Sequence, residues 1–342
     1  MTEKVRTAII ALTVGVVAYF SGSIAHVSNL PSVKTLLGDD SMSALSAASL
    51  PHTSSSHAIT PKLESGWDDM GRKLYNASVL KLSSIGVKNV TIQGHGPIFV
   101  SNEVCGNQNF WTNAAKGGWE RMTFAIFSKY VTGNTTVVDF GSWIGPTLLY
   151  HGQFSKRSYG IEADPVAYSV AEFNVDLNSK LNPEWGRRIS VESACVGRPE
   201  DVGFLTMKAG GRRGKASQSM SGINDGKVAK DAGGKAATWQ VQCYTLPTIF
   251  DFWGLAKPYK DVFIKIDIES YECKLIPSLH DWLKDEMFLP KMFLNYHSQS
   301  VADCTDEEWK GLLQVLKLYD HVRIGSDSKI WHLKRRPPLT SS

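Results

Sequence analysis

The sequence predicts an α/β fold: a Rossmann-like, mostly parallel, doubly wound sheet that ends in a C-terminal antiparallel hairpin. Apolar strand-like runs alternate with helix-like stretches over more than half of the chain, a pattern typical of parallel sheets covered on both faces. A glycine-rich turn follows the first of these strands, as expected of a doubly wound sheet. Two segments near the C-terminus, "HVRIGSD" and "KIWHLKR", have the pattern of a hairpin.

Each element is placed by its own pattern of apolar residues. Short apolar runs predict five strands, at 136–140, 157–162, 188–194, 261–267 and 291–296. Amphipathic spacing predicts four helices, at 145–154, 165–178, 272–284 and 305–319. The hairpin then adds an antiparallel strand at or near one edge of the sheet.

Residues 67–134 are predicted to form an N-terminal extension that packs on the main domain, 135–335. Within the extension, the segment 90–102 predicts a small strand pair that turns at its two glycines. The stretch "WERMTFAIFSKYV" then predicts an amphipathic helix that ends near Gly133.

The N-terminus predicts a membrane anchor. Lys4 and Arg6 precede an uncharged run, 7–25, that is just long enough to cross a bilayer, and their positive charge favours the cytosolic side. We therefore expect a tail and signal anchor over 1–27 and a Ser-rich flexible stalk over 28–66. The result would be a single-pass type II membrane protein facing the Golgi or ER lumen. The alternative is a secreted protein, released by signal cleavage.

The formal net charge of +4 is too small to indicate nucleic-acid binding, so no nucleic acid is expected as a partner. Much of the positive charge lies in 207–240, a Gly- and Lys-rich segment that is longer than an ordinary connection. We interpret it as a mobile basic flap, which either attracts an acidic acceptor or keeps a loop soluble.

The five cysteines are widely spaced and include no CxxC pair, so no zinc framework is predicted. We expect most of them to be buried as small apolar residues, with one disulfide if the domain is luminal. They are Cys105, Cys195, Cys243, Cys273 and Cys304.

The segment "VVDFGSWIGP" places Asp139, Gly141 and Gly145 at the end of the first predicted strand. Gly141 allows a sharp turn, and Gly145 allows a ligand or a packed backbone to come close. Asp139 would either fix the loop through backbone N–H groups or bind the amino end of a ligand. Glu162 ends the next strand, where an acidic side chain can accept hydrogen bonds from both ribose hydroxyls.

This turn differs from the glycine patterns that hold a pyrophosphate or a nucleotide triphosphate. A ribose-binding carboxylate without a phosphate cradle favours a nucleoside ligand that carries no phosphate. S-adenosyl-L-methionine has this chemistry, so the sequence predicts it as the cofactor.

Six segments, in this order, resemble the FkbM-like methyltransferases: "VVDFGSWIGP", "GIEADPVA", "AEFNVDLN", "ISVESACVG", "VQCYTLPTIF" and "DVFIKIDIESYECKLI". The resemblance runs from about Trp119 to about His297. It implies a class I methyltransferase fold, S-adenosyl-L-methionine as cofactor, and methylation of hydroxyl oxygens on small molecules and sugars.

Candidates for the cofactor site lie at the ends of the first three strands. They are Asp139, Gly141, Ser142, Gly145, Glu162, Asp164, Glu192 and Ser193. The last two are candidates for the adenine edge. Asn174 and Asn178 match the family's paired asparagines, for which a packing or capping role competes with a ligand role. Ser270 replaces a glycine that the family usually has in K-x-D-x-E-G, which affects the expected geometry of the acceptor pocket.

Candidates for catalysis surround the fourth strand. Lys265, Asp267 and Glu269 alternate, so they project to one face. We expect them beside the methyl donor, where a carboxylate or His297 would remove the acceptor's proton. A structural ion network around Lys265 is the alternative. A metal held by Asp267, Glu269 and His297 ranks below direct base catalysis, and no metal is predicted.

The sequence thus predicts a methyltransferase that O-methylates a hydroxyl of a glycan or small metabolite. A luminal glycosyltransferase and a non-catalytic binding protein of the same fold are the alternatives. The expected partners are the acceptor and, through the N-terminal helix, a membrane. The oligomeric state is not predicted.

Overall fold

The computed structural model describes residues 67–82, 85–102, 109–208, 222–223, 238–269, 271–284, 289–295, 304–324 and 330–335. All of them belong to one compact unit, Thr60–Ser342. The predicted catalytic residue His297 lies outside the described residues, as does Ser270, which replaces the family's glycine.

The described chain contains thirteen strands and ten α-helices. The strands are β1 (Val87–Ile92), β2 (His95–Ser101), β3 (Thr136–Phe140), β4 (Arg157–Glu162), β5 (Ile189–Ser193), β6 (Cys195–Gly197), β7 (Gly203–Lys208), β8 (Gly222–Ile223), β9 (Thr238–Thr245), β10 (Val262–Ile266), β11 (Lys291–Asn295), β12 (Tyr319–Ile324) and β13 (Ile330–Arg335). The helices are α1 (Asp69–Leu82), α2 (Phe110–Ala115), α3 (Arg121–Tyr130), α4 (Pro146–Gly152), α5 (Pro165–Leu181), α6 (Pro183–Gly186), α7 (Leu246–Phe252), α8 (Glu272–Ser278), α9 (His280–Leu283) and α10 (Asp306–Leu316).

The central sheet has seven strands in the order β12-β13-β11-β10-β3-β4-β5. The five strands from β11 to β5 are parallel, and the β12–β13 hairpin adds two antiparallel strands beside β11. This confirms the predicted fold class, a class I methyltransferase (Rossmann-like) sheet with a C-terminal antiparallel hairpin. The strand order reverses between β3 and β10, and ligands of such sheets bind at the carboxyl ends of the strands at this point.

The central strands are buried because both of their faces are covered. All five residues of β10 are buried, and so are four of the five in β3. Side chains alternate between the faces of a strand, so Val137 packs in one hydrophobic cluster and Val138 in the other. The continuous apolar runs that predicted these strands follow from this double coverage.

A second sheet, in the order β6-β9-β7-β8, was not predicted. It takes up both ends of the predicted flap, since β7 ends at Lys208 and β9 begins at Thr238. The predicted flap is therefore wrong at these ends and at 222–223. The rest of 207–240 lies outside the described residues.

The predicted strand pair of the extension is confirmed as the antiparallel β1–β2 hairpin. Two asparagines of α5 hold this hairpin. Asn174 Oδ1 accepts from Ser101 N–H at 2.7 Å, and Asn178 both accepts from and donates to the backbone of Phe99, at 2.9 and 2.6 Å. The structure therefore gives these two asparagines a packing role.

Four of the cysteines form two disulfides, Cys195–Cys243 and Cys273–Cys304, with Cα–Cα distances of 4.4 and 6.0 Å. Cys195, Cys243 and Cys273 are buried as expected, but the structure has two disulfides where one was expected. Cys195 and Cys243 face each other because β6 and β9 pair in parallel register, and β9 was missed in the sequence. Cys105 lies outside the described residues.

Within the ranges that the structure describes, no helix is long and apolar enough to cross a bilayer. This finding contradicts the predicted type II membrane protein of the Golgi or ER, and we withdraw that prediction. The segments from which it was made, 1–27 and 28–66, lie outside the described residues.

Candidate functional site

A cavity of about 210 Å³ opens at the carboxyl ends of β3, β4 and β10, where the strand order reverses. Residues from the extension close it on one side, and β6 and β7 line another. Its lining includes Trp119, Glu120, Gly141, Ser142, Trp143, Ile161, Glu162, Asp164, Ala194, Cys195, Val196, Lys265, Asp267, Glu269, Tyr271 and Asn295.

The turn after β3 depends on Gly141. Its φ is +74°, and a Cβ at this position would lie 1.9 Å from the backbone oxygen of Asp267. The backbone N–H groups of Gly141 and Ser142 both donate to the Ile161 oxygen at 3.0 Å, which ties the turn to β4. A side chain at 141 would therefore push apart the loops that follow β3 and β10.

Glu162, the last residue of β4, lines the cavity, and backbone groups hold both of its carboxylate oxygens. Trp143 N–H donates to Oε2 at 2.7 Å, and Asp164 N–H donates to Oε1 at 2.8 Å. Burial raises the pKa of Glu162 to about 7, although both of these N–H groups act to lower it. The carboxylate is thus fixed in orientation, with lone pairs left for a ligand.

Asp164 also lines the cavity, and its side chain begins α5. Its Oδ1 accepts from the N–H groups of Val166 and Ala167 at 2.8 and 3.2 Å, which is the geometry of an N-cap. Asp164 therefore positions the loop that carries the Glu162 carboxylate.

Asp139 is fully buried and does not line the cavity. It lies opposite Lys265 in the parallel register of β3 and β10, and Lys265 Nζ donates to its Oδ1 at 2.8 Å. Thr147 Oγ1 donates to Oδ2 at 2.5 Å, and His151 Nε2 lies 3.6 Å from the same oxygen. The structure thus places Asp139 in a buried ion pair rather than at the amino end of a ligand.

The buried pair fixes the charge of Lys265. Burial acts to lower the pKa of Lys265, but the carboxylates of Asp139 and Asp267 outweigh it, so the pKa lies above its ordinary value. Burial acts to raise the pKa of Asp139, but Lys265 and His151 hold it below its ordinary value. Burial lowers the pKa of His151, although the neighbouring Asp139 carboxylate acts to raise it. A lysine of this kind is a poor proton acceptor and a good anchor for carboxylates.

Asp267 follows β10 at the cavity wall. Its Oδ2 accepts from Asn295 Nδ2 at 3.2 Å and lies 3.6 Å from Lys265 Nζ. Its side chain is 20% exposed, so this carboxylate is held by one hydrogen bond and one ion pair yet reaches the cavity. Glu269 lines the same wall.

Backbone strain is concentrated at the cavity. Four non-glycine residues of the described chain have a clearly positive φ, and three of them line the cavity: Glu120 (+46°), Trp143 (+49°) and Glu269 (+52°). Such conformations cost about 1–3 kcal/mol each and cluster at functional sites. Two of the three bring a carboxylate to the cavity.

Three further predicted site residues are not part of the cavity lining. Gly145 is the N-cap of α4 with φ +86°, and Glu192 and Ser193 are buried at the end of β5. Glu192 and Ser193 were expected at the adenine edge of the site. The neighbouring residues Ala194, Cys195 and Val196 line the cavity instead.

Sequence reasoning missed Trp143 and Asn295, which hold Glu162 and Asp267. Asn295 had a signal, because a polar residue that ends an apolar strand lies at the carboxyl edge of a parallel sheet. Trp143 acts through its backbone N–H, which no side-chain pattern reveals.

The residues present fit S-adenosyl-L-methionine. A carboxylate fixed at the end of β4 suits a ribose diol, small apolar residues suit an adenine face, and the turn at Gly141 leaves no room for a side chain. Among the described residues, no group of three acidic, histidine or cysteine side chains could hold a metal ion.

In a comparison with solved structures, the chain is similar to the methyltransferase FkbM from Methylobacillus flagellatus KT, with 14% identity and a TM-score of 0.38. The match covers 78% of this chain and 61% of that one, so the chain spans about three fifths of the length of its relative. That structure comes from the family that the sequence resembles.

Two further structures are similar. Trm5b from Pyrococcus abyssi has 11% identity and a TM-score of 0.35, over 74% of this chain and 56% of that one. Precorrin-6y C5,15-methyltransferase from Geobacter metallireducens GS-15 has 10% identity and a TM-score of 0.30, over 63% and 88%. No protein-family model and no curated protein matches the chain. Sheet order and cavity together place the chain in the class of methyltransferase-fold proteins.

Proposed function

We propose that this protein is an S-adenosyl-L-methionine-dependent methyltransferase that O-methylates a hydroxyl of a glycan or small metabolite. One observation carries the proposal. A carboxylate at the end of β4, Glu162, faces the cavity at the switch point of the sheet with both oxygens oriented by backbone N–H groups. A carboxylate only accepts hydrogen bonds, so a carboxylate fixed in this way suits the two hydroxyls of a ribose.

The rest of the lining supports binding of the adenosine end. Ile161, Ala194 and Val196 offer an apolar surface for adenine. The turn at Gly141 brings backbone rather than a side chain to the space between β3 and β10.

The charge of the cavity favours a positively charged methyl donor. Among the described residues of its lining there are five carboxylates and one ammonium, that of Lys265, which is paired with the buried carboxylate of Asp139. A negative cleft attracts cations and repels anions. The cavity therefore suits a sulfonium and disfavours an acidic methyl acceptor. We accordingly propose that the methyl acceptor is uncharged. The carboxylates are those of Glu120, Glu162, Asp164, Asp267 and Glu269.

The bound cofactor would supply an electrophilic methyl group. Asp267 would accept the proton of the acceptor hydroxyl at a carboxylate oxygen. Asn295 and Lys265 orient this carboxylate, through a hydrogen bond at 3.2 Å and an ion pair at 3.6 Å. Lys265 is thus a positioning residue, and Trp119 and Trp143 line the cavity.

A thermal-shift comparison tests the proposal. We expect S-adenosylhomocysteine to raise the melting temperature of the full chain, and UDP with Mn²⁺ to leave it unchanged. Stabilisation by UDP with Mn²⁺ alone would overturn the proposal in favour of a glycosyltransferase.

Asp267→Asn should abolish transfer of labelled methyl groups to acceptors in a cell extract while retaining S-adenosylhomocysteine binding, because the amide cannot accept the proton.

A further inference from the structure

A second cluster of charged side chains lies at the opposite, amino end of the parallel strands. Four cations and one carboxylate line an open surface cleft: Lys156, Arg157, Glu184, Arg187 and Arg188. Arg157 is the first residue of β4, so about 16 Å of strand separates it from Glu162 at the cofactor cavity. No residue of the described chain lines both the cleft and the cavity.

Two of the guanidinium groups are held in place by backbone carbonyls. Arg157 Nη1 donates to the Arg187 oxygen at 3.0 Å. Arg188 donates from its two terminal nitrogens to the oxygens of Ser155 and Gln153, at 3.3 and 3.2 Å. A guanidinium has five N–H donors, so these bonds fix the two groups while leaving further donors for a ligand.

The third guanidinium is weakly restrained. Arg187 Nη1 lies 3.4 Å from Glu184 Oε1, and their side chains are 61% and 83% exposed. Exposed pairs of this kind contribute little, so Arg187 can turn to a stronger acceptor. The cleft therefore combines two preorganised guanidinium groups with one adaptable group and a lysine.

We infer that this cleft binds a tetrahedral oxyanion, the phosphate or sulfate group of an ester. Planar guanidinium groups donate two parallel hydrogen bonds to such an anion, and the clustered positive charge raises its local concentration. Because the cleft and the cavity share none of the residues that the structure describes, the inference goes beyond the proposed function and does not depend on it.

The test is an NMR titration of the full chain at constant ionic strength, which follows the arginine Nε–H signals. Inorganic phosphate and sulfate should shift the Arg157, Arg187 and Arg188 signals saturably, and acetate should not. Arg157→Gln/Arg187→Gln should weaken the binding of phosphate at least about tenfold. The charge-matched control Lys310→Gln/Lys317→Gln, on exposed positions at α10, should leave it unchanged.

Glu184→Gln gives the converse result. It removes the carboxylate that competes for Arg187, so phosphate should bind more tightly than in the wild type. Equal shifts with acetate, or equal losses in both double variants, would overturn the inference in favour of general charge screening. Thermal melts of each variant establish that the fold is retained. Glucose 6-phosphate and glucose 6-sulfate, titrated in parallel, distinguish the two sources of the oxyanion.

Discussion

At the scale of single residues, the carboxyl of Glu162 is under two opposing influences. Burial disfavours its charged form, and two backbone N–H groups favour it, with the result that the pKa is raised to about 7. A ribose diol donates hydrogen bonds, so it needs the ionised form. Ligand affinity and the ionisation of Glu162 are therefore linked.

We predict that S-adenosylhomocysteine binds more tightly as the pH rises. Below pH 7 Glu162 is mostly protonated and must lose its proton to accept both ribose hydroxyls, whereas above pH 7 it is already ionised. Affinity should thus increase about tenfold between pH 6 and pH 8 and then level off. Isothermal titration calorimetry at several pH values measures this, and the slope should disappear in Glu162→Gln. A flat profile in the wild type would show that Glu162 does not accept from the ligand.

Two glycines of the same turn differ in what a side chain would meet. At Gly141 an added Cβ would lie 1.9 Å from the Asp267 oxygen, whereas at Gly145 the nearest atom, Leu149 Cγ, is 3.6 Å away. Both have a positive φ, so only the space around them distinguishes the two positions.

We predict that Gly141→Ala lowers the free energy of unfolding by at least about 3 kcal/mol and abolishes S-adenosylhomocysteine binding. Gly145→Ala, the matched control, should cost about 1–2 kcal/mol, because it adds backbone strain alone. Denaturant unfolding and calorimetry measure the two effects. Equal losses in both variants would contradict the close approach of the β3 and β10 loops.

The pairing of Asp139 with Lys265 shows the limit of reading single residues. Each was recognised in the sequence as a charged residue of a site. Their contact depends on β3 lying next to β10 in one particular register, across 126 residues of chain. No local pattern carries that information, so the sequence suggested either a loop-fixing or a ligand role for Asp139, where the structure shows a buried ion pair.

At the scale of elements, the strands of the central sheet were predictable because burial on both faces makes them continuously apolar. The predicted strands at 136–140 and 157–162 coincide with β3 and β4. The predicted helix bounds were less accurate than the predicted strand bounds. The predicted helix 272–284 is divided into α8 and α9, with Pro277 near the end of α8.

The strand β9 was missed although a signal exists. Trp239, Val241 and Cys243 are buried at alternate positions, as in a strand with one covered face. This alternation is hard to recognise in the sequence because polar residues lie between the buried ones and a Gly- and Lys-rich segment precedes them. As a result, the Cys195–Cys243 disulfide beside the cavity was missed as well.

The asparagines of α5 provide a test of packing at this scale. Asn178 makes three hydrogen bonds, two to Phe99 of β2 and one to Asn174. Asn178→Ala should lower the free energy of unfolding by about 2–4 kcal/mol, because it leaves backbone groups of the hairpin unpaired. S-adenosylhomocysteine affinity should not change.

The control for this variant is Asn182→Ala, which removes the cap that accepts from Trp185 N–H and should cost about 1 kcal/mol. Unfolding and calorimetry are measured side by side. Loss of ligand affinity in Asn178→Ala without loss of stability would restore the ligand role that the sequence left open.

At the scale of the whole molecule, opposite charges are separated along the parallel strands. Carboxylates gather at the carboxyl ends around the cavity, and arginines gather at the amino ends of β4 and β5. The net charge of +4 hides this separation. The sequence could show the charges but not their distribution, which only the sheet order reveals.

The central claim is that the cavity binds an adenosine through Glu162. Calorimetric titration of the full chain with S-adenosylhomocysteine at pH 8 tests it most directly. We predict saturable binding to the wild type, binding at least about tenfold weaker to Glu162→Gln, and unchanged binding to Glu307→Gln, an exposed control on α10. No binding to the wild type, or equal affinity in all three proteins, would contradict the claim.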